Sequence, residues 1–300
     1  MNSLFKRHSI WPALPLLGLL RLAAALPHGL RLALGRSAGR IAYCVLGRRR
    51  AVARRNLQLC FPEWTAARRR RMLRAAFDSL GQGLVELAMG AWCSDAEVAE
   101  RVEVEGARHL EEAVSRGRGA IALSGHFVAL EFTARALSYP PAGLVAVYRP
   151  GGNAAFDWLV GRARLRVCAK TVSKYDVRGM VRSLRDGAVL WFAGDQMTDA
   201  KSAALAPFFG EPAMTGTSLG RLARISGAPV VPWFTRRLPD GRYRVELLPA
   251  LEAFPGASPE QDAARINKLV EDHVRKAPEQ YYWIHRRFKR RPPPLPDPYE

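Results

Sequence analysis

The stretch "ALSGHFVALEFTARAL" places a histidine and a glutamate, His126 and Glu131, directly after an apolar run. A neutral imidazole can accept a proton from a hydroxyl near neutral pH, and a carboxylate on the other ring nitrogen fixes the tautomer and stabilises the imidazolium. If the substrate brings its own hydroxyl, the protein needs no serine or cysteine nucleophile. The pair therefore predicts general-base catalysis, although the same spacing is also common in histidines and glutamates with a structural role.

Arginines follow the next apolar run. Arg149 closes the sequence "AVYRP", and Arg164 lies at the end of the helical pattern after it. Because a guanidinium binds a phosphate through two parallel N–H groups, we predict that both residues bind substrate. The neighbouring Arg162 and Arg166 fit a solvated helix face instead.

A third apolar run ends in "WFAGDQMTD", which places Asp195 and Gln196 at the same edge of the predicted sheet. The apolar stretch 207–212 then precedes Thr215 and Thr217, at an expected helix start where backbone N–H groups can bind an anion or an oxyanion. An apolar loop beside polar groups suits a substrate with a long hydrocarbon part. A capped core helix explains the same residues equally well.

Short apolar runs alternate with helical patterns from Val102 onward, and this alternation predicts the elements that position these residues. We expect buried strands at 120–123, 143–148, 188–193 and 229–234, an edge strand at 243–248, and helices at 65–91, 128–137, 154–166, 176–185 and 218–226. The predicted fold class is α/β, with a mixed, largely parallel sheet flanked by helices. Sites in such folds gather at the carboxyl ends of the strands.

Residues 1–50 are basic and apolar, and the first 60 residues contain eleven Lys or Arg and no Asp or Glu. The apolar run 10–20 is short for a spanning helix, which needs about 20 residues, but the helical pattern continues to Leu46. We expect a helical arm that lies in or dips into an anionic leaflet; a cleaved signal peptide and an ordinary basic helix pair are the alternatives. The arginines expected to reach headgroups are Arg21, Arg31, Arg36 and Arg40.

The rest of the chain divides into a domain of residues 51–292 and a proline-rich tail, 293–300. The stretch 281–292, "YYWIHRRFKRRP", interleaves aromatic and basic residues, which suits either RNA or a membrane surface. We assign Arg286, Arg287 and Lys289 to contacts with lipid headgroups.

A formal net charge of +19 indicates an anionic partner: nucleic acid, a membrane surface, a phosphorylated substrate or an acidic carrier protein. No zinc motif and no glycine-rich nucleotide motif is present, so we expect neither a metal nor a cofactor. Widely spaced cysteines without a CxxC pair predict reduced core thiols. They are Cys44, Cys60, Cys93 and Cys168.

Several blocks resemble the lipid A biosynthesis late acyltransferases, the lauroyl and myristoyl transferases of Gram-negative inner membranes. This family belongs to the glycerolipid and lysophospholipid acyltransferase superfamily. "GHFVALE" resembles its His-x4-Asp/Glu motif. The other matching segments are "RRNLQLCFPEW", "VYRPGGNAAFDWL", "GRARLR", "LRDGAVLWFAGDQ", "PFFGEPAMTGT" and "APEQYYWIHRRFKRRP".

The resemblance implies a fold like that of glycerol-3-phosphate acyltransferase. It also implies transfer of a fatty acyl group from acyl carrier protein to a hydroxyl of a lipid A precursor, at the cytoplasmic face of the inner membrane, without nucleic acid. The family's catalytic pair falls on His126 and Glu131, with His126 as base, Glu131 orienting it, and no acyl-enzyme. The other matching positions are Arg149, Arg164 and Asp195.

The sequence departs from the family pattern at Arg21, which interrupts the apolar stretch, and in "AGDQMTDAKSAALAP", after the third apolar run. The first departure leaves a true membrane span open, and the second leaves the preference for acceptor or acyl chain length open. The alternatives are an acyltransferase for another glycolipid or lysolipid, and a basic RNA- or membrane-binding protein without enzymatic activity.

Overall fold

The computed structural model describes residue 11 and residues 14–148, 152–197 and 202–300. The strands in these ranges are β1 (Val102–Glu105), β2 (Ala120–Ser124), β3 (Leu144–Tyr148), β4 (Cys168–Ser173), β5 (Val189–Ala193), β6 (Ala203–Phe208), β7 (Glu211–Gly216), β8 (Val230–Arg237) and β9 (Tyr243–Leu247). Seven form one sheet, ordered β1-β9-β8-β2-β5-β3-β4, whose pairs are parallel except β8–β9. Strands β6 and β7 form a separate antiparallel hairpin.

Helices surround this sheet. In chain order they are α1 (Leu14–Ala25), α2 (His28–Val45), α3 (Gly47–Cys60), α4 (Ala66–Trp92), α5 (Asp95–Arg101), α6 (Ala107–Val114), α7 (Leu130–Thr133), α8 (Ala154–Arg164), α9 (Val177–Arg185), α10 (Ser218–Ser226) and α11 (Pro259–Lys276). Short 3₁₀ turns follow α7 and α11.

Consecutive residues of β2 face opposite sides of the sheet. Ala120 and Ala122 belong to the core on the side of α5, α6 and α7, whereas Ile121 and Leu123 pack with residues of α9, α10 and α11. A central parallel strand is therefore buried on both faces, which explains why it is a continuous apolar run without alternation.

The predicted α/β class and largely parallel sheet are confirmed, and the five expected strands are all present. The strand expected at the edge, β9, lies instead between β1 and β8. The edge strands are β1 and β4, neither of which was predicted from the sequence. The apolar stretch 207–212 is part of the β6–β7 hairpin. The helix expected at 128–137 is shorter, because Ala129 adopts a left-handed backbone conformation and α7 begins only at Leu130.

The helices α1 and α2 pack against the rest of the fold and also expose apolar residues to solvent. Leu17 and Leu20 of α1 are buried against α4 and α8, whereas Leu19 and Leu22 are 64% and 67% exposed. Within the described ranges, no helix has both the length and the hydropathy needed to cross a bilayer. Arg31, one of the arginines expected at headgroups, is buried and forms an ion pair with Glu97 of α5.

Glycines allow α2 to lie directly against α4. A Cβ atom on Gly39 would lie 2.1 Å from the carbonyl oxygen of Phe77, and one on Gly81 would lie 2.2 Å from the carbonyl oxygen of Gly35. Since no Cβ atom fits at such distances, glycine is required for this helix crossing.

An aromatic core joins α3, α4, the β6–β7 hairpin, α11 and the residues after α11. Its members include Phe61, Phe77, Phe208, Tyr281 and Trp283. Tyr299 also packs against this core, and its hydroxyl donates a hydrogen bond to Asn56 of α3. All four cysteines are free thiols, as predicted, but Cys44 is exposed rather than in the core.

Candidate active site

Two neighbouring parallel strands bring His126 and Asp195 together. Ser124, the last residue of β2, is in register with Ala193, the last residue of β5, and each strand is followed by a glycine. His126 and Asp195 therefore occupy equivalent positions just beyond the carboxyl edge of the sheet. They lie 69 residues apart in the chain, and the parallel pairing of β2 with β5 makes them neighbours.

The Asp195 carboxylate makes two hydrogen bonds to His126. Its Oδ1 lies 2.6 Å from the ring nitrogen Nδ1, and its Oδ2 accepts a hydrogen bond of 3.1 Å from the backbone N–H. A carboxylate at Nδ1 favours the tautomer with the proton there, which leaves Nε2 as an acceptor. The Asp195 side chain is fully buried, whereas that of His126 is 38% exposed, so a substrate can approach the ring.

The two groups shift each other's pKa. Burial by itself lowers the pKa of His126, but the charge and hydrogen bond of Asp195, together with the charge of Glu131, raise it above its ordinary value. Burial by itself raises the pKa of Asp195, but the charge and hydrogen bonds of His126 hold it well below its usual range. Asp195 is thus ionised at neutral pH, and its charge stabilises the protonated imidazole.

Glu131 does not hydrogen-bond the ring, contrary to the expected orienting role. Its Oε1 accepts a hydrogen bond of 3.2 Å from Arg164 Nη2 at the end of α8. The difference follows from the late start of α7, which contacts α8. Glu131 acts on His126 only through its charge, and Asp195 holds the ring.

Aromatic rings surround the Arg164 guanidinium. Its central carbon lies 4.9 Å from the ring centre of Tyr148 and 5.8 Å from that of Trp191. Its Nη1 is buried and has no hydrogen-bond partner among the described residues. The guanidinium therefore retains an N–H group that can bind an oxyanion or a phosphate beside the histidine.

Tyr281 completes the contacts of Asp195 and was not singled out by the sequence as a site residue. Its hydroxyl donates a hydrogen bond of 2.9 Å to Asp195 Oδ2. The aromatic and basic pattern of residues 281–292 predicted a surface that contacts RNA or lipid. Nothing in that pattern marks which tyrosine faces inward.

Thr215 and Arg287 lie in the interior rather than at a ligand or lipid surface. Thr215 belongs to β7, before the helix start at which it was expected, and Arg287 Nη2 donates hydrogen bonds of 2.8 Å to Thr215 Oγ1 and to Asn267 Oδ1. Arg287 Nη1 donates another of 2.8 Å to the Met214 carbonyl. Buried polar groups need such partners, so these residues fix the hairpin to α11.

The remaining predicted residues occupy different environments. Gln196 follows Asp195 and is half-buried, Arg286 is exposed with its guanidinium over the Tyr299 ring, and Lys289 is half-buried. Arg149 lies outside the described residues. The arrangement as a whole offers a base, an oriented carboxylate and a cation, which suits proton abstraction from a hydroxyl that attacks a carbonyl.

Comparisons with known proteins give the family. The family model for bacterial lipid A biosynthesis acyltransferases matches residues 3–290. The chain is 39% identical over 285 residues to the lipid A biosynthesis lauroyltransferase of Escherichia coli K12, covering 94% of this chain and 93% of that protein. It is 37% identical over 278 residues to the lipid A biosynthesis palmitoleoyltransferase of the same strain, covering 92% and 90%.

A solved structure, the 1-acyl-sn-glycerophosphate acyltransferase PlsC from Thermotoga maritima, matches with a TM-score of 0.38 and 13% identity, covering 83% of this chain and 97% of that chain. The match of the family model over nearly the whole chain, with relatives well above 30% identity, shows that the chain belongs to the bacterial lipid A biosynthesis acyltransferase family.

Proposed function

We propose that this chain transfers a fatty acyl group from the thioester of acyl carrier protein to a hydroxyl of a lipid A precursor, with His126 as the general base. The observation that carries the proposal is the hydrogen bond of 2.6 Å between His126 Nδ1 and the buried Asp195, which leaves Nε2 to face a substrate. Family membership supplies the substrate class.

The reaction proceeds without an acyl-enzyme. His126 Nε2 takes the proton of the acceptor hydroxyl as its oxygen attacks the thioester carbonyl, and the tetrahedral intermediate then expels the carrier's thiolate, which takes the proton back from the imidazolium. Asp195 and Glu131 stabilise the imidazolium, as their upward effect on the His126 pKa supports. We assign the oxyanion or the acceptor's phosphates to Arg164 and Arg149, with Gln196 beside them.

A cationic face near the site supports an acidic donor protein. Residues 46–74 contain ten arginines and one acidic residue, and Arg49 Nη1 donates a hydrogen bond of 3.4 Å to the Ile284 carbonyl, three residues from Tyr281. Charge complementarity of this kind accelerates and orients the association of two proteins. The exposed members are Arg48, Arg49, Arg54, Arg55, Arg68, Arg70, Arg71 and Arg74.

The apolar face of α1 and α2 supports attachment to anionic lipids at the cytoplasmic face of the inner membrane. Exposed leucines and exposed arginines occur together on these helices, as in helices that lie in a membrane interface. The arginines are Arg21, Arg36 and Arg40. In this proposal, residues 1–50 are the membrane-associated arm, 51–292 the catalytic domain and 293–300 the tail. Arg286 and Lys289 remain candidates for headgroup contact.

The proposal is tested with the purified full chain in detergent, with acyl carrier protein bearing saturated chains of several lengths and a lipid A precursor that lacks secondary acyl groups. Mass spectrometry of the acceptor is the readout, and His126→Ala is the matched variant. We expect a gain of one acyl group with the unmodified chain and none with the variant.

Other outcomes separate the alternatives. Acylation of other glycolipids or lysolipids, with none of the lipid A precursor, would keep the mechanism and overturn the acceptor. No transfer to any acceptor would overturn the enzyme proposal and favour a basic binding protein.

A further inference from the structure

The hydrogen bonds between His126 and Asp195 extend to a third residue, Tyr281, which follows α11. We infer that Tyr281 is a positioning residue for the acyl transfer: its hydroxyl holds the Asp195 carboxylate, and through it the His126 ring. The inference rests on the proposed role of His126. The hydrogen bond of 2.9 Å from Tyr281 to Asp195 Oδ2 is the contact that carries it.

The Asp195 carboxylate is fixed from two sides. Oδ1 faces His126 Nδ1, and Oδ2 accepts both the backbone N–H of His126 and the phenol of Tyr281. Without the phenol, each oxygen keeps one donor, but both donors belong to His126, the residue that the carboxylate has to orient. Among the described residues, the phenol is thus the one hydrogen-bond donor to the Asp195 carboxylate that does not belong to His126.

The phenol is a donor at every working pH. Tyr281 is 6% exposed, and its burial together with the Asp195 charge raises its pKa well above the usual value. It therefore stays protonated, and it keeps a buried carboxylate ionised as well as oriented.

Backbone contacts align the same two segments. Phe127 and Tyr281 form an antiparallel bridge, the N–H of Tyr282 donates to the His126 carbonyl at 3.1 Å, and that of Val128 donates to the Gln280 carbonyl at 3.2 Å. The residues after α11 therefore run beside the loop that carries the base. Tyr281 lies where this pairing meets Asp195.

Hydrogen bonds also hold the segment 281–287 against α3, β7 and α11. Asn56 Nδ2 of α3 donates hydrogen bonds of 2.6 Å and 2.8 Å to the carbonyls of Trp283 and His285, and the Trp283 ring N–H donates to the Pro278 carbonyl at 2.6 Å. Arg287 adds its bonds to β7 and α11. A rigid segment holds the phenol in place, as a positioning role requires.

The test compares Tyr281→Phe with the unmodified chain in the transfer assay. We expect kcat to fall by about tenfold or more, the cost of losing a hydrogen bond to a charged group, with KM for both substrates unchanged. An Asp195 with one donor fewer attracts the imidazole proton more strongly, so the His126 pKa should rise. The acid limb of kcat/KM should move to higher pH.

In Tyr281→Phe, the other titratable and charged groups near His126 and Asp195 are unchanged. They are Glu131 of α7, Arg164 of α8, Cys60 of α3, and His285 and Arg287 of the last segment. Replacement of Tyr281 by 3-fluorotyrosine introduces a more acidic phenol that still donates a hydrogen bond. This replacement should keep kcat and move the acid limb of kcat/KM to lower pH. Shifts of the acid limb in opposite directions would show that the hydrogen bond, and not the packing of the ring, controls the His126 pKa. If the phenylalanine variant does not fold, the fluorinated protein alone tests the inference.

Tyr243→Phe is the matched control, because it removes another buried phenol that donates to a carboxylate, that of Glu86 at 3.1 Å, and that does not hydrogen-bond Asp195 or the segment 281–287. We expect kcat and the acid limb of the control to match those of the unmodified chain. Titration of the His126 ring by ¹⁵N NMR, in the unmodified chain and in Tyr281→Phe, needs no substrate. Equal ring pKa values would overturn the inference. A shift in the ring pKa without acyl transfer by any form would uphold the action of Tyr281 on the His126 ring through Asp195 and overturn the proposed function.

Discussion

His126 shows how a single side chain acquires its chemistry from distant parts of the sequence. Its ring hydrogen-bonds Asp195, 69 residues away, and not Glu131, five residues away. The two carboxylates are consequently unequal. Asp195 acts by contact and by charge and Glu131 by charge alone, so we assign the orientation of the ring to Asp195 and the placement of Arg164 to Glu131.

This inequality predicts the pH dependence of the reaction. The base must be neutral, so activity rises with pH as His126 loses its proton, and the raised pKa places that rise above the ordinary histidine value of 6.5. Asp195→Asn should move the acid limb of kcat/KM to lower pH by more than Glu131→Gln does. The asparagine variant should also lose about 10³ to 10⁴ in kcat, because an amide no longer imposes the productive tautomer.

The measurement is the pH profile of kcat/KM for both variants under identical conditions. Glu131→Gln should show its larger effect in substrate binding, since Arg164 loses its ion pair. A larger shift of the limb in Glu131→Gln than in Asp195→Asn would return the orienting role to Glu131.

Among the elements, α2 and α4 depend on the absence of side chains where they cross. Gly39→Ala places a methyl group against backbone atoms of α4, which cannot move without displacing the helix. We expect the free energy of unfolding to fall by roughly 1–3 kcal/mol, measured by urea denaturation. Gly29→Ala, on the same helix with no atom within 4 Å of the added methyl, should leave stability unchanged or slightly increased.

The exposed leucines of α1 predict lipid binding by this helix. Leu19→Lys with Leu22→Lys removes apolar surface that is mostly exposed, so stability should change little while sedimentation with anionic phospholipid vesicles decreases. Ile225→Lys on α10, at an exposed site of similar size, is the control and should sediment as before. Equal sedimentation of all three proteins would exclude α1 as the lipid-binding element.

The elements show which parts of the fold a sequence reveals. Strands β2, β3, β5 and β8 were predictable because burial on both faces requires continuous apolar runs. The edge strands β1 and β4 were missed because they are short and half-exposed, with polar residues in "VEVE" and "CAKTVS". Position within the sheet was not predictable for β9, because sheet order is not chain order.

The same limit applies to the site. His126 and Asp195 were both predicted at the carboxyl edge from the apolar runs that precede them. Their direct pairing required the adjacency of β2 and β5, which no local pattern contains. The role of Tyr281 was not predictable for a further reason. Its hydrogen bond to Asp195 forms only because the segment after α11 returns to the edge of the sheet.

For the whole molecule, the buried His273 contributes to the response to acid. Burial lowers the pKa of His273 to about 4, and its ring Nε2 donates to the Thr235 carbonyl at 3.0 Å. The unfolded chain binds a proton near pH 6.5 and the folded chain only near pH 4. Stability is therefore complete above the unfolded value and is lost as pH falls through this window.

His273→Gln keeps a donor for the Thr235 carbonyl and cannot titrate. Between about pH 7 and pH 5, its free energy of unfolding should fall by about 2 kcal/mol less than that of the unmodified chain. Urea denaturation at several pH values measures the difference. Parallel pH profiles of the two proteins would show that another group controls acid unfolding.

The pairing of the last segment with the His126 loop also bears on how the protein is made. The helices proposed to meet the membrane are synthesised before residues 281–287, which include Tyr281. While those residues are still inside the ribosome, the nascent chain has its lipid-facing helices and its histidine but lacks Tyr281 beside Asp195. A product truncated before residue 281 would then carry the proposed base without the hydrogen bond that Tyr281 gives to Asp195, and its activity should be low even if it binds lipid.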